Sequence, residues 1–590
     1  MEYNQESFIG GMNLLLDDTR LANFSRWSYN QALSNNQYRL LLNGRNRYDE
    51  IDSIASSVLD ISLPAGVIQE ITTFGNFVIA FVSGSCYYRL YNGLFWNQVD
   101  AFSMSASAPR YWTVSVPLAT TNYGRASILQ ANTVLVSGAT NVAPANTGIL
   151  QIQSLAASFS GNVPGLLVQD GINQPTFIYI DNYGNVQARV TQNYNQWNAV
   201  YGLTPSNYGV LLTDNREYVP IGTTMAYTSD GKLFIASTDG VSILQSVSGR
   251  PLDFVINVNV DGSKGGNAYT TSYSVGVGPI ACLRPISTGG LFVAAANSNF
   301  TVTLNKTPGA PTQFGEYTFI RTFLFESTCL SDRCIMDSLG DTRFIDLTGV
   351  RSFNAIEQSL NEGRNSVFTS TIAKAFQGIV QDVAAAIFYD NYEYYGVNTI
   401  FGPAIAIYDT INNNWVGFDV LQTGGKKIKA FAKIELAIQA LFAITEDDQL
   451  YQLYASTINE DLPTIRLAGL CTMDPRKEQS VINTRVILTN ITQDYSVTAS
   501  LFVNNRFVTS RQQNFKYVPA PNPYTGISLG PDIGTQTNNI LFTFPNSQQG
   551  WKAFIVLSWT GGGSLVSTSV STEDLMPMQP PTTQSVVNQS

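Results

Sequence analysis

Histidine is absent from all 590 residues of the chain. Its absence removes the commonest general base at neutral pH, the commonest metal ligand, and the partner that Ser–His and Cys–His nucleophiles require. Charge is scarce as well. Asp, Glu, Lys and Arg make up 13 % of the chain, against a usual share of about a quarter. The five cysteines are an odd number without framework spacing. Cys329 and Cys334 alone cannot supply the four ligands of a structural zinc site. They are expected to be reduced, mostly buried thiols, consistent with synthesis in a cytosol. No apolar run approaches the ~20 residues of a membrane helix. The start, with Glu2 and Glu6 and no apolar stretch, does not read as a secretion signal. Asn23-Phe-Ser25, Asn299-Phe-Thr301 and Asn490-Ile-Thr492 are therefore chance matches to the glycosylation pattern.

Asn, Gln, Ser, Thr and Tyr fill the space that charge leaves. With 12 % aromatic and 44 % hydrophobic residues, the composition fits β-sheet surfaces and protein interfaces, and is too apolar for disorder. The net charge is −10, and the densest basic stretch is only Lys426-Lys427-Ile428-Lys429. Tight electrostatic capture of nucleic acid is not expected.

One motif organises the rest. In Met225–Phe254 three short apolar strands are separated by Asp230-Gly231 and Asp239-Gly240, tight-turn dipeptides whose glycines accept positive φ. Gly249-Arg250-Pro251 then ends the ladder, because proline has no N–H to donate. The same antiparallel meander recurs. Val78–Val82, Cys86–Tyr91 and Leu94–Val99 form one copy. Leu291–Ala296 with Phe300–Leu304, Arg343–Leu347 with Val350–Phe353, Ala384–Tyr389, Ala404–Tyr408 with Trp415–Asp419, and Leu441–Thr445 with Gln449–Tyr454 form others. Units start about 40–60 residues apart, which over residues 56–464 predicts a β-propeller of six to eight blades. Residues 105–215 are less regular and read as blade material plus an insertion. Residues 355–380, with Ile356, Leu360, Val367, Ile372 and Ala375, are the best helix candidate.

Residues 1–55 form an N-terminal arm. Phe8-Ile9-Gly10-Gly11-Met12-Asn13 suggests extended chain with a sharp bend, and its aromatic and leucine content predicts an ordered arm packed on something. From about 465 the pattern changes. Val497, Ala499, Leu501 and Val503 alternate with polar residues, the mark of a sheet with one wet face. A β-sandwich over 465–576 is expected, followed by an extended or disordered tail at 577–590.

Catalytic chemistry is hard to find, and no catalytic, cofactor-binding or metal residue is assigned. Gly262-Ser263-Lys264-Gly265-Gly266 lacks the spacing of a P-loop. Asp17-Asp18 and Asp447-Asp448 lack the alternating oxygen ligands of a calcium loop. The most enzyme-like cluster is Tyr389-Asp390-Asn391-Tyr392-Glu393-Tyr394-Tyr395, since sialidases pair a tyrosine nucleophile with carboxylates. Tyrosines alternating with polar residues are also ordinary strand chemistry.

The Phe8–Asn13 phrase and the Pro220–Phe254 segment, ending Gly249-Arg250-Pro251-Leu252-Asp253-Phe254, resemble the tail hub or nozzle family of short-tailed phages, the packaged-DNA stabilisation proteins. The Asn- and Tyr-rich, histidine-free style is similar to that of crAss-like phages of gut bacteria. The resemblance implies a structural virion protein made in the host bacterial cytoplasm. It implies a ring homo-oligomer, a hexamer, below the portal and adaptor. Other tail proteins are its partners, and DNA passes through the lumen without sequence-specific binding. Six chains at −10 each would carry about −60, so an acidic lumen would let the genome slide. A different tail ring, muzzle or receptor-facing protein is the alternative, and a propeller glycosidase or lectin a further one.

Overall fold

A computed structural model gives the chain an almost entirely β architecture. It describes residues 2–574 except 6–7, 15–36, 47–48, 117–163, 182, 192–218, 230, 247–250, 253, 255–268, 273–278, 287–289, 296–297, 307–316, 326–328, 357–367, 436–438, 457–462, 468–469, 472–478, 492, 518–535, 545–548 and 551.

The meander expected at 225–254 is present. Strands Gly222–Tyr227, Leu233–Ser237 and Ser242–Gln245 pair antiparallel in chain order, and Tyr269–Ser272 adds an outer strand. Gly231 (φ 78°) and Gly240 (φ 75°) make the turns, in the left-handed region that glycine enters without steric cost. We call this sheet III. Sheet I comprises Ile68–Phe74, Phe77–Val82, Ser85–Leu90 and Asn97–Gln98. Sheet II comprises Trp112–Val116, Gly165–Gln169, Thr176–Ile180 and Val186–Val190. The insertion expected in 105–215 falls largely on residues 117–163 and 192–218, outside the described residues. Sheet IV comprises Ile280–Pro285, Leu291–Ala295, Ser298–Lys306 and Tyr317–Phe325, and sheet V comprises Ile335–Ser338, Asp341–Asp346 and Gly349–Ser352. Sheet VI is built from Ala385–Tyr389, Tyr392–Thr399, Gly402–Asp409 and Asn414–Asp419. Sheet VII takes Ile428–Glu435, Gln439–Thr445 and Leu450–Leu453 from late in the chain, and its outer strand, Val58–Leu59, from near the start.

The first strands of these sheets are neighbours. That of sheet II lies beside those of I and III, III beside IV, and VI beside V and VII. The first strand of VII lies beside that of I. Between IV and V, the Arg284 guanidinium donates to the Ile335 carbonyl at 3.1 Å. This is a propeller-type arrangement, in which each sheet stacks its faces on two others.

Face-to-face stacking explains why the second strands read as unbroken apolar runs. Successive side chains point to opposite faces of a strand. In Phe77–Val82, Ile79 and Phe81 pack against sheet II with Leu166 and Val168, while Val78, Ala80 and Val82 pack against sheet VII with Ala430 and Phe442. In Leu233–Ser237, Leu233 and Ile235 meet sheet II, while Phe234 and Ala236 meet sheet IV. Phe292 of sheet IV continues the stack onto Phe344 of sheet V, with ring centroids 5.2 Å apart. Of the Gly249–Phe254 phrase, Leu252 and Phe254 enter the core between sheets II and III.

The helix expected over 355–380 is a helical turn at 353–356 and a 3₁₀ helix, Ser370–Ala375, with residues 357–367 outside the described set. Ile372 and Ala375 are fully buried. The apolar spacing therefore reflects burial of a tight turn rather than one face of a regular helix.

The C-terminal strands form two layers. In Tyr495–Val503 the odd positions are buried and the even ones half-buried, the alternation the sequence carries. One layer joins Gln536–Thr543, Gln479–Ile491 and Ser564–Asp574, extended by Ile51–Ser53 and Gly44–Arg45, with Glu2–Gln5 also on Ser564–Asp574. The other joins Arg506–Phe515, Tyr495–Val503, Lys552–Trp559 and Thr464–Arg466.

The N-terminal arm stitches this unit to the propeller. Strand Leu40–Leu42 pairs with Thr464–Arg466 on one edge and with Asn414–Asp419 of sheet VI on the other, producing a single ten-stranded sheet. The approach is close: a side chain on Gly417 would stand 2.5 Å from the Leu41 carbonyl oxygen. Tyr38, fully buried, donates its hydroxyl to the Val416 carbonyl at 2.7 Å. At the bend predicted in the arm, Gly11 has φ 71°, and a side chain there would collide with Asn414. Arg45 makes two parallel bonds to the Asp419 carboxylate, at 3.0 and 2.8 Å, and Tyr454 of the segment after sheet VII donates to the same carboxylate at 2.6 Å. The Arg45 guanidinium also stands 4.8 Å from the centre of the Tyr454 ring. Burial alone would lower the Arg45 pKa, but Asp419 and the surrounding tyrosines outweigh it and hold the pKa well above its ordinary value.

An ion pair this buried punishes the loss of one partner more than the loss of both. Arg45→Met is expected to destabilise the protein by roughly 3–5 kcal/mol, because it strands the Asp419 carboxylate. The double variant Arg45→Met/Asp419→Leu should recover much of that loss. Thermal melts of the three proteins check this, and a single variant that melts with the wild type contradicts it.

Candidate functional site

The first strands of all seven sheets reach one axial cavity of about 400 Å³. Thr72 comes from sheet I, Thr113 from II, Met225 from III, Arg284 from IV, Asp337 from V, Phe388 from VI and Lys433 from VII. The volume lies in the range of small-molecule pockets.

One side of the cavity is consolidated by paired charges. Arg110 Nη1 stands 2.5 Å from Asp332 and Arg110 Nη2 3.6 Å from Glu70. Arg333 donates to Glu70 through Nη2 at 2.8 Å and Nε at 3.0 Å, and to the Gln69 carbonyl. Burial would pull the Arg110 pKa down, but Asp332 and Glu70 overcome that and raise it. The short 3₁₀ helix Asp332–Cys334, which leads into sheet V, supplies Asp332 and Arg333. These residues therefore tie sheets I and V across the axis through ion pairs that are largely shielded from water.

The other side is less complete. Arg284 Nη2 has the Ile335 carbonyl, but its Nε is buried without an acceptor, and among the described residues no carboxylate pairs with the guanidinium. Asp337 is exposed and accepts one long bond, from Thr342 at 3.5 Å. Lys433 donates to the Phe388 carbonyl at 2.6 Å and to Glu435 at 2.9 Å.

The Tyr389–Tyr395 cluster lies elsewhere. Asp390 (φ 49°) and Asn391 (φ 59°) make the tight turn of a hairpin in sheet VI. Beyond it the strand's two faces serve two interiors. Tyr392 and Tyr394 flank Arg45, at 5.8 and 5.9 Å from its guanidinium to their ring centres. Burial pushes the Tyr394 hydroxyl up to about 12. Glu393 and Tyr395 face sheet V. Tyr395 donates to Glu393 at 2.5 Å, Ser338 donates to it as well, and Arg343 stands 3.5 Å away. Arg343 is in turn 3.1 Å from Asp341 and 3.8 Å from the centre of the Phe368 ring. Glu393 is 0 % exposed, so this carboxylate holds two sheets together without meeting solvent.

The remaining candidates resolve into structural roles or fall outside the described residues. Asp447 accepts from Thr445 and sits 3.6 Å from Lys426, and Asp448 pairs with Lys429 at 2.7 Å and accepts from the Ile68 amide. With Lys427 on Asp382 at 2.5 Å, every lysine of the densest basic stretch has an acidic partner. Asn299 is fully buried and accepts from the Cys329 amide. Cys86, Cys282, Cys329 and Cys334 are buried, and burial pushes the Cys334 thiol up to about 12. No group of metal-ligating side chains occurs among the described residues. Asp17, Asp18, Asn23 and Gly262–Gly266 lie outside them.

Sequence reading missed the axial set because its members are isolated in the chain. Arg110, Arg284, Arg333 and Lys433 come from four segments and share only their place in or beside the first strand of a unit. That position was the available signal.

No family model matches the chain, and no curated protein matches it. Solved structures with a similar course of chain include a streptogramin B lyase, at 9 % identity and a TM-score of 0.33 over 67 % of this chain and 96 % of that one. Another is the extracellular domain of a putative hybrid two-component system from B. thetaiotaomicron, at 8 % identity and a TM-score of 0.38 over 89 % of this chain and 62 % of that one. A dihydro-heme d1 dehydrogenase, NirN, matches at 11 % identity and a TM-score of 0.30, over 70 % of this chain and 66 % of that one. At these values the likenesses say nothing of activity.

The Glu393 environment has a measurable signature. Burial raises its pKa, and Arg343, Ser338 and Tyr395 only partly offset this. A carboxyl whose folded pKa is raised contributes stability at low pH that is lost as pH climbs through the folded value. Glu393→Gln removes that titration. The melting temperature of Glu393→Gln minus that of the wild type should therefore become more positive from pH 4 to pH 7. A difference that is flat or falls over this range refutes the assignment.

Proposed function

We propose that the protein is an architectural subunit of a phage tail, a ring-forming nozzle or hub component without a catalytic step. The observation that carries this reading is the ten-stranded sheet formed when strand Leu40–Leu42 is inserted between sheet VI and the C-terminal strands. Hydrogen-bonded continuity between the two parts suits a component that must hold its shape under load. The phrases at Phe8–Asn13 and Gly249–Phe254 supply the family resemblance. The low charge and neutral polar surface suit large permanent interfaces.

Within this reading the seven sheets are the blades of a closed propeller, with Val58–Leu59 completing the last blade beside its C-terminal strands. A closed ring of blades removes long exposed sheet edges. The axial cavity is ligand-sized, so DNA would travel between copies of the chain and not along the propeller axis. Six copies would surround that channel, with the adaptor on one side and further tail proteins on the other.

Negative-stain electron microscopy of the purified protein tests the proposal, with and without adaptor. The expected particle is a ring with a central hole. A strictly monomeric particle at high concentration, with adaptor present, overturns it.

A further inference from the structure

We infer that the axial cavity is a binding site for a small oxyanion, a phosphate or a carboxylate, held by Arg284, with Lys433 lining the same cavity. The inference stands apart from the tail role, since it concerns the axis of a single chain.

Three observations support it. First, the cavity is richer in cations than the chain as a whole. The protein carries −10, yet the cavity is lined by Arg110, Arg284, Arg333 and Lys433 against Glu70, Asp332 and Asp337, with Glu435 pairing Lys433 from outside the lining. Secondly, the pairing is uneven. Arg110 and Arg333 are ion-paired with Glu70 and Asp332. Arg284 donates to one carbonyl and, among the described residues, has no carboxylate partner. A guanidinium carries five donors in a planar fork suited to two-oxygen anions, so Arg284 has capacity that the protein leaves unused. Thirdly, there is room. At ~30 Å³ per water, a cavity of about 400 Å³ accepts an oxyanion together with its remaining hydration.

Asp337 gives the inference a second handle. Among the described residues it is the lining carboxylate without an ion pair, and it opposes any anion in the cavity. It therefore favours small anions that bind on the Arg284 side. An occupant there would draw together Arg284 of sheet IV and Lys433 of sheet VII, adding a link across the axis between sheets that do not stack on each other. Ligand that binds only the folded protein also raises the melting temperature.

Isothermal titration calorimetry on the full chain at constant ionic strength, with inorganic phosphate and with succinate in separate titrations, tests this. The expected result is saturable binding of at least one of the two, and comparing them identifies which oxyanion the site prefers. Arg284→Gln, which keeps a donor for the Ile335 carbonyl, should weaken binding at least tenfold. Asp337→Asn should strengthen it several-fold. Lys427→Gln, on the Asp382 pair away from the cavity, should leave it unchanged. Absence of saturable binding in the wild type overturns the inference, and so does binding that is indifferent to Arg284→Gln in a folded variant. If Arg284→Gln does not fold, Asp337→Asn decides: tighter binding supports the site, and unchanged binding overturns it.

Discussion

The pairing of Leu40–Leu42 with two strands at once is the constraint on which the rest of the architecture depends. A three-residue strand contributes few hydrogen bonds, but its edges face Asn414–Asp419 and Thr464–Arg466, so it converts two separate sheets into one. The buried Arg45–Asp419 pair fixes its register a few residues later. Buried pairs of this kind are weak sources of net stability and strong sources of specificity where only one arrangement satisfies both charges. Tyr454 and Tyr394 surround the pair, so sheet VI, the segment after sheet VII and the arm all meet at one guanidinium.

The remainder is stacking. A sheet packed on both faces cannot display the alternation that identifies a half-exposed strand. The runs around Ile79, Phe234 and Phe292 are apolar at every position because successive residues belong to different interfaces. In the C-terminal unit Tyr495–Val503 has one interior to serve, and the alternation returns.

Those contrasts set what could be read in advance. Meanders were legible from Asp-Gly turns, because the turn chemistry is local. The change of character near 465 was legible from period-two spacing. The arm's destination was not, since Arg45 and Asp419 are 374 positions apart and neither is unusual in its own neighbourhood. The Tyr389–Tyr395 cluster illustrates the converse error. Its density of hydroxyls and carboxylates suggests chemistry, but the strand divides them between two interiors, with Glu393 on one face and Tyr394 on the other. The axial residues were invisible for a third reason: convergence at an axis leaves no trace in spacing along the chain.

Sheet VII is assembled from an early and a late part of the sequence, and this bears on how the chain acquires its structure. Val58–Leu59 emerges from the ribosome long before Leu450–Leu453 exists to pair with it, and Glu2–Gln5 waits for Ser564–Asp574. Contacts of such long sequence separation form late and slow the overall rate. Synthesis at about 5–20 residues per second leaves those early strands unpaired for tens of seconds. The nascent chain then carries open sheet edges through most of its translation, the condition in which partially folded β proteins associate wrongly. Demand for chaperones during synthesis follows from the same pairing of early strands with late ones.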